Sequence, residues 1–312
     1  MTGGSSPRVL VTGATGFIGW HCLRPLLERG YEVHAVAHEA QTDASASVTW
    51  HTADLLRAGT GTSVVEVVRP THLLHLAWYV TPGKVIGSPV NYQWVSASVE
   101  LLQAFGAAGG QRAVLSGSAY EYDWRDGTCI EDATPLIPTT VYGSSKAALF
   151  LLATSIARES DLSLAWVRPF FLYGPREHPD RLVASVARAL LRGEPAATSH
   201  GRQRRDYLHV QDVADAIVAT LDSALVGPVN VGSGEAVELR DIVERIGEIV
   251  GRPELLRIGE LAARPNDVPL VVADARRLTT ELSWRPRFDL ATGLESTVDW
   301  WRSRVSSEVA TS

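Results

Sequence analysis

Two residues four apart, Tyr142 and Lys146 in "TTVYGSSKAALF", have the types and spacing for proton transfer. On a helix, residues i and i+4 share a face, so a phenol and an ammonium at this spacing are neighbours. A tyrosine near its ordinary pKa of ~10 is a weak base at neutral pH, and a cation beside it favours the phenolate. Such a pair can exchange a proton with a substrate hydroxyl or carbonyl. The lysine is also unusual within its own chain: of 29 basic residues, only Lys84 and Lys146 are not arginine. A compact ammonium fits against a phenol and a ribose, where the wider planar fork of arginine does not. The competing reading of Lys146 is a solvated helix residue.

A second candidate is "VLVTGATGFIGW", which places Gly13, Gly16 and Gly19 between an apolar strand and a helix. Glycines there allow a tight turn, close approach of a pyrophosphate to backbone N–H groups, and packing of the helix on the strand. The alternative is a purely structural turn. Thr15, Phe17 and Ile18 belong to the same segment, and Leu76 and Ala77, ending "THLLHLAW", join the expected cofactor set. Dinucleotide folds selective for NAD usually carry a carboxylate at the end of the second strand. Here "EVHAVAHEAQ" has Ala37 and His38 at that point, with no arginine following to hold a 2′-phosphate. The missing carboxylate favours NADP(H) over NAD. His38 either meets a phosphate or is a solvated loop residue, and Asp54 and Leu55 of "TADL" fall where such folds contact adenine.

These residues need a frame, and the first half of the chain supplies one. Short β-branched runs ("RVLVTG", "EVHAVA", "VTWHTADL", "THLLHLAW") alternate with helical patterns, the rhythm of βαβ units and a parallel sheet covered on both faces. Helices are expected from Phe17 to Arg29, over 92–109 and 143–159, and from Asp212. The expected fold is a Rossmann-type doubly wound α/β sheet with a smaller C-terminal α/β substrate-binding lobe. Residues 1–169 form the dinucleotide-binding domain, to which 206–234 return, and 170–205 with 235–312 form the lobe. Trp300 and Trp301 read as core or interface packing rather than chemistry.

Composition narrows the function classes. A net charge of −6 and a pI near 5.9 argue against a nucleic-acid or anionic-membrane surface. Cys22 and Cys129 lie outside any paired or metal-ligating spacing, so neither a disulfide framework nor a metal site is expected. No segment approaches the ~20 apolar residues of a spanning helix, and the N-terminus lacks a leader pattern. The expectation is a cytoplasmic protein.

With "TGATGFIG" at the start, "LSGSAYEY" ending a central strand and "YGSSK" opening the next helix, the sequence resembles the extended short-chain dehydrogenase/reductases of the NAD(P)-dependent nucleotide-sugar epimerase/dehydratase group. The likeness covers nearly the whole chain and includes "RPFFLYGP", "GRQRRDYLHVQDVADA" and "RPND". It implies that Tyr142 is the acid/base, that Lys146 lowers its pKa and holds the nicotinamide ribose, and that Ser118 hydrogen-bonds the reacting oxygen. It further implies that Arg205 and Arg264 clamp a substrate diphosphate, unless they are solvated charges. Tyr79 and Lys84, in the loop after the fourth strand, are expected at the sugar pocket, with Lys84 equally open to being an exposed loop cation.

Departures from the family pattern also bear on function. The Asp-Glu pair of the 4,6-dehydratases is replaced by Ala119 and Tyr120, so that chemistry lacks its acid and base unless Glu121 takes the place. Family asparagines are replaced by Phe171 and Trp94, which alters how the substrate is held. These losses, with Ala37, tilt the reading to a 4-ketoreductase of a nucleoside diphosphate 4-keto sugar. The alternatives are a 4-epimerase with retained NAD, a ketoreductase of a non-nucleotide ketone, and a non-catalytic dinucleotide sensor. Helices 92–109 and 143–159 resemble those that pair across a two-fold axis in the family, implying a homodimer.

Overall fold

Apolar runs such as "RVLVT" can be buried on both faces only if other strands flank them and helices cover them. The computed structural model describes residues 6–41, 47–263 and 267–311 and shows this arrangement. Seven strands, β1 (Arg8–Thr12), β2 (Glu32–Ala37), β3 (Val48–Thr52), β4 (His72–His75), β5 (Arg112–Ser116), β6 (Ser163–Pro169) and β7 (Gly227–Val231), form one sheet. All their pairings are parallel, in the order β7-β6-β5-β4-β1-β2-β3. The chain winds outwards from β1 to β3, then resumes on the other side of β1 with β4. The fold is therefore the doubly wound Rossmann type, and the reversal between β1 and β4 opens a crevice at the carboxyl ends of the strands.

Nine helices are described: α1 (Phe17–Glu28), α2 (Thr60–Val68), α3 (Val90–Ala107), α4 (Val141–Glu159), α5 (Leu182–Arg192), α6 (Val210–Leu221), α7 (Leu239–Val250), α8 (Arg276–Glu281) and α9 (Leu290–Thr311). Leu23 and Leu26 of α1 and Val213 and Ile217 of α6 share one core with Val9, Val11 and Val167 of the sheet. On the opposite face Leu101, Leu102 and Phe105 of α3 and Leu149 and Ala153 of α4 pack with Leu10, Leu73 and Trp166. The alternate residues of β1 thus supply both cores, which is what a two-faced strand requires. Helix α4 starts at Val141 rather than 143, because the Thr140 hydroxyl caps it by accepting from Gly143 N at 3.0 Å. Helix α6 likewise starts two residues before Asp212, capped by His209.

A third core joins α5, α7 and α9 through Val183, Leu190, Ile242, Ile246, Leu294 and Val298. Trp301 is buried in it and Trp300 packs at its margin, edge-on to Trp301. A second, small sheet runs in the order Val237–Glu238, Arg204–Arg205, Leu270–Ala273, Thr128–Cys129. Among the described residues no helix is long and apolar enough to cross a membrane, and no group of three or more His, Cys, Asp or Glu is placed to hold a metal ion. Cys22 and Cys129 are both free and buried.

The turn after β1 is closed by direct backbone contact. A Cβ on Gly19 would lie 2.1 Å from Gly13 O, and one on Gly13, whose φ is +70°, would lie 2.7 Å from Ala77 N. Neither partner is a side chain that can move aside. Gly19→Ala is expected to lower the thermal unfolding midpoint by roughly 3–10 °C, or to prevent folding, from an overpacking cost of about 1–3 kcal/mol. Gly16→Ala, whose Cβ would meet only Gly13 O at 3.1 Å, is expected to keep the fold, and circular dichroism melts of the two variants check the contrast.

Candidate active site

The carboxyl ends of β1 to β4 bring the expected cofactor residues to one edge of the sheet. Gly13, Thr15 and Gly16 follow β1; Phe17, Ile18 and Gly19 open α1; His38 follows β2; Asp54 and Leu55 follow β3; Leu76 and Ala77 follow β4. Helix α1 has Gly16 at its N-cap, with no side-chain cap bond and no acidic residue in its first turn. Its N–H groups and the positive end of its dipole are left for an anion. This cradle, too tight for any Cβ at Gly13 or Gly19, fits a dinucleotide pyrophosphate. His38 and Asp54 are exposed and Leu55 is buried.

Ser118, Tyr142 and Lys146 converge beside this edge, from the turn after β5 and from the first turns of α4. The Ser118 side chain hydrogen-bonds the Tyr142 phenol, while Ser118 Oγ accepts from Tyr120 N at 3.3 Å. Gly143, between Tyr142 and Lys146, lets the two segments touch: a Cβ there would lie 2.2 Å from Tyr120 O. Tyr142 N donates to Ile86 O at 3.1 Å and ties the loop after β4 to α4.

The electrostatics differ from the sequence expectation. Burial pushes the Tyr142 phenol up to about 12, with the Ser118 hydrogen bond opposing it. Lys146 is only 3 % exposed, and burial pulls its ammonium down to about 7, with Glu121 opposing. Burial dominates the phenol's pKa here, and Lys146 makes its direct contacts elsewhere. Lys146 Nζ donates to Ser116 O at 2.7 Å and lies 3.6 Å from the centroid of the Trp78 ring.

Glu121 has a different task from the dehydratase role considered for it. Its carboxylate is fully buried, accepts from Ser118 N at 2.7 Å and from Trp166 Nε1 at 3.1 Å, and pairs with Arg168 Nε at 2.7 Å. Its acceptor positions face donors of the protein, so it holds Ser118 in place and does not reach a substrate.

The rest of the crevice wall is aromatic. Trp78, Tyr120, Trp124 and Phe171 are all partly exposed, and ring contacts run from Trp78 to Tyr142, Tyr120, Trp124, Phe171 and Tyr207. Ala119 is buried, with its carbonyl accepting from Trp124 Nε1 at 2.8 Å. Trp94 stacks on Trp78 with centroids 6.1 Å apart. Tyr79 is partly exposed and Lys84 exposed, on the loop held by Tyr142 N. Arg205 is buried, paired with Asp267 at 2.5 Å, and its guanidinium lies 5.5 Å from the Phe171 ring. Arg264 lies outside the described residues. Sequence reasoning missed Trp78 and Trp124. Trp78 directly follows Leu76 and Ala77 at the end of a strand, a position that was itself a signal; Trp124 carried none.

Known proteins resemble the chain along most of its length. The model of the NAD dependent epimerase/dehydratase family matches residues 9–232, and the chain belongs to that family. It is an enzyme of the extended short-chain dehydrogenase/reductase group, among the NAD-dependent nucleotide-sugar epimerases and dehydratases. It is 29 % identical to the UDP-glucose 4-epimerase of Azospirillum brasilense, over 96 % of this chain and 93 % of that protein. The solved UDP-glucose 4-epimerase of Thermus thermophilus, in complex with NAD, superposes with a TM-score of 0.85 at 29 % identity, covering 95 % of this chain and 99 % of that one. MoeE5 in complex with UDP-glucuronic acid and NAD gives 0.82 at 33 % identity, with 95 % and 99 % covered.

The buried pair yields a direct test of Glu121. Glu121→Gln leaves the Arg168 guanidinium without its counter-charge, and is expected to lower stability by about 3–5 kcal/mol in urea unfolding. A variant with unchanged stability and lost turnover would instead return Glu121 to a chemical role.

Proposed function

We propose that the protein interconverts the two 4-epimers of a nucleoside diphosphate sugar, using NAD that it retains between turnovers. The observation that carries this reading is the likeness, along nearly the whole chain, to UDP-glucose 4-epimerases, joined to the grouping of Ser118, Tyr142 and Lys146 beside the glycine turn. The 4-ketoreductase expected from the sequence rests on Ala37 and the two missing asparagines. The relatives support the epimerase better. NAD is likewise favoured over NADP by the neighbours solved with NAD.

Gly13 to Gly19 would hold the dinucleotide's pyrophosphate at the start of α1, with Leu76 and Ala77 beneath it. Bound NAD supplies the acceptor for the C4 hydride and its return to the opposite face. As the phenolate, Tyr142 would take the proton of the C4 hydroxyl, and as the resulting phenol it would give that proton back to the keto oxygen. The Ser118 hydroxyl, which accepts from Tyr120 N and hydrogen-bonds the phenol, would donate instead to that oxygen once the substrate lies between them. Lys146, four residues along the same helix, would supply positive charge that favours the phenolate which takes the proton. The keto sugar must turn over between the two transfers, and Tyr120, Trp124 and Phe171 offer walls with few directional hydrogen bonds. Arg205 and Arg264 remain the candidates for the diphosphate.

A homodimer through α3 and α4 is part of the proposal. These helices pack side by side and leave Tyr92, Leu151 and Leu152 exposed, at 59 %, 67 % and 45 %, on their outer faces.

Purified protein is expected to release NAD on denaturation and to equilibrate UDP-glucose with UDP-galactose without added cofactor. Tyr142→Phe is expected to reduce that rate by roughly 10²- to 10⁴-fold while mass spectrometry finds the dinucleotide still bound. A strict need for added NADPH, with no dinucleotide retained, would replace the epimerase with the ketoreductase.

A further inference from the structure

Lys146 carries a charge into a buried place where, among the described residues, no carboxylate lies within ion-pair distance. What it does have is one carbonyl, Ser116 O at 2.7 Å, and the face of the Trp78 indole at 3.6 Å from Nζ to the centroid. A cation over the face of a tryptophan is attracted by the negative potential of the ring, most strongly where water is excluded.

The indole is fixed in this place. Trp78 Nε1 donates to Asn91 Oδ1 at 2.7 Å, and the Asn91 amide donates to Val85 O and Ser88 O at 2.7 and 2.8 Å. Asn91 is fully buried, and Trp94 stacks on Trp78 at a 28° interplanar angle. The replacement of a family asparagine by Trp94 therefore comes with a partner: the two tryptophans form one stacked unit, and the Trp78 ring meets the lysine.

We propose that Trp78 is a positioning residue for Lys146, its indole face keeping the buried ammonium charged and aimed at the cofactor and phenol. This rests on the epimerase reading of Lys146 given above. The other groups around the ammonium do not serve the purpose. Glu121 attracts it from a distance but is committed to Arg168, Trp166 and Ser118. His75, from β4, is held neutral at about 3 by burial and by Lys146 itself, and is bonded to Thr12 and Ser98. Tyr142, from the same helix, is pushed toward its neutral form by burial. The ammonium has three donors. Ser116 takes one and the ring faces the charge, which leaves a donor for a ribose hydroxyl.

The sign of the pH effect follows. A lysine pulled down to about 7 is charged below that pH and loses its charge as pH rises through it. Weakening the ring's hold makes that loss occur at lower pH, and acid restores what was lost. A packing defect at Trp78 would give a lower rate at every pH.

The test replaces Trp78, in the full-length NAD-loaded enzyme, by site-directed incorporation of fluorinated tryptophans, which keep the shape of the ring while draining its face of negative potential. The alkaline limb of the epimerisation rate is expected to move down with each added fluorine, by about one pH unit in total. The rate at pH 8 then falls by about tenfold and recovers to within about twofold at pH 6. NAD affinity measured by calorimetry at the two pH values is expected to follow the same order, and Trp78→Phe to lie between Trp78 and Trp78→Leu. An alkaline limb that stays in place across the fluorinated series overturns the proposal. Lys146→Ala separates the two readings: if it epimerises at the wild-type rate, the role given to Lys146 falls as well. If it is inactive while the limb stays in place, only the role of Trp78 falls.

Discussion

The arrangement of the site depends on one carboxylate that water does not reach. Glu121 accepts from the backbone of Ser118 and from Trp166 and Arg168 of β6, so it pins the turn after β5 to the neighbouring strand. The network continues outwards. Arg168 donates to Tyr122 Oη, which donates to Asn230 Oδ1 on β7, and the Asn230 amide donates to Cys129 O of the smaller sheet and to Asp274 O just after its strand Leu270–Ala273. Buried polar groups joined in this way rigidify a fold, and each link left unmade would carry the full cost of an unsatisfied group. Three parallel strands and the smaller sheet are thereby tied to one another, and Ser118 is held at one end of the network.

Upon that scaffold the crevice has two chemically different halves. At β1 the surface is backbone: N–H groups, a helix dipole and glycines that keep side chains away, suited to phosphate. At β5 and β6 it is aromatic, from Trp78 to Phe171, suited to a ring that must be held loosely. Tyr142 and Lys146 sit where the halves meet. Both are pushed toward their neutral forms by burial, which sets the phenol near 12 and the ammonium near 7. Moving a proton onto or off this pair therefore depends on what binds beside it, since a new charge or hydrogen bond in a buried place changes a pKa strongly.

The smaller sheet is anchored by a second buried carboxylate. Asp206 accepts from Ser233 N, Gly234 N and Ala273 N, joining the strand at Arg204–Arg205 to the loop after β7 and to Leu270–Ala273. Arg205, next in the chain, is thereby held under Phe171 with Asp267 as its partner. A sequence pattern can nominate such an arginine, yet its carboxylate lies 62 positions away, and nothing local pairs them.

Local information was enough for much of this protein. Alternation of apolar runs with helical periods dictates a parallel sheet, since strands buried on both faces need helical crossovers. The glycine spacing marks the anion end of α1, and the four-residue interval of Tyr142 and Lys146 places them on one helical face. Those are properties of one or two turns of chain. Their pKa values, the withdrawal of Glu121 from chemistry and the seating of Lys146 on Trp78 belong to the tertiary structure. Burial and long-range contact govern them: Trp78 reaches Lys146 across 68 positions of sequence, and Glu121 finds Arg168 across 47. Spacing along the chain names residues able to do chemistry; only packing decides how much water and which charges surround them.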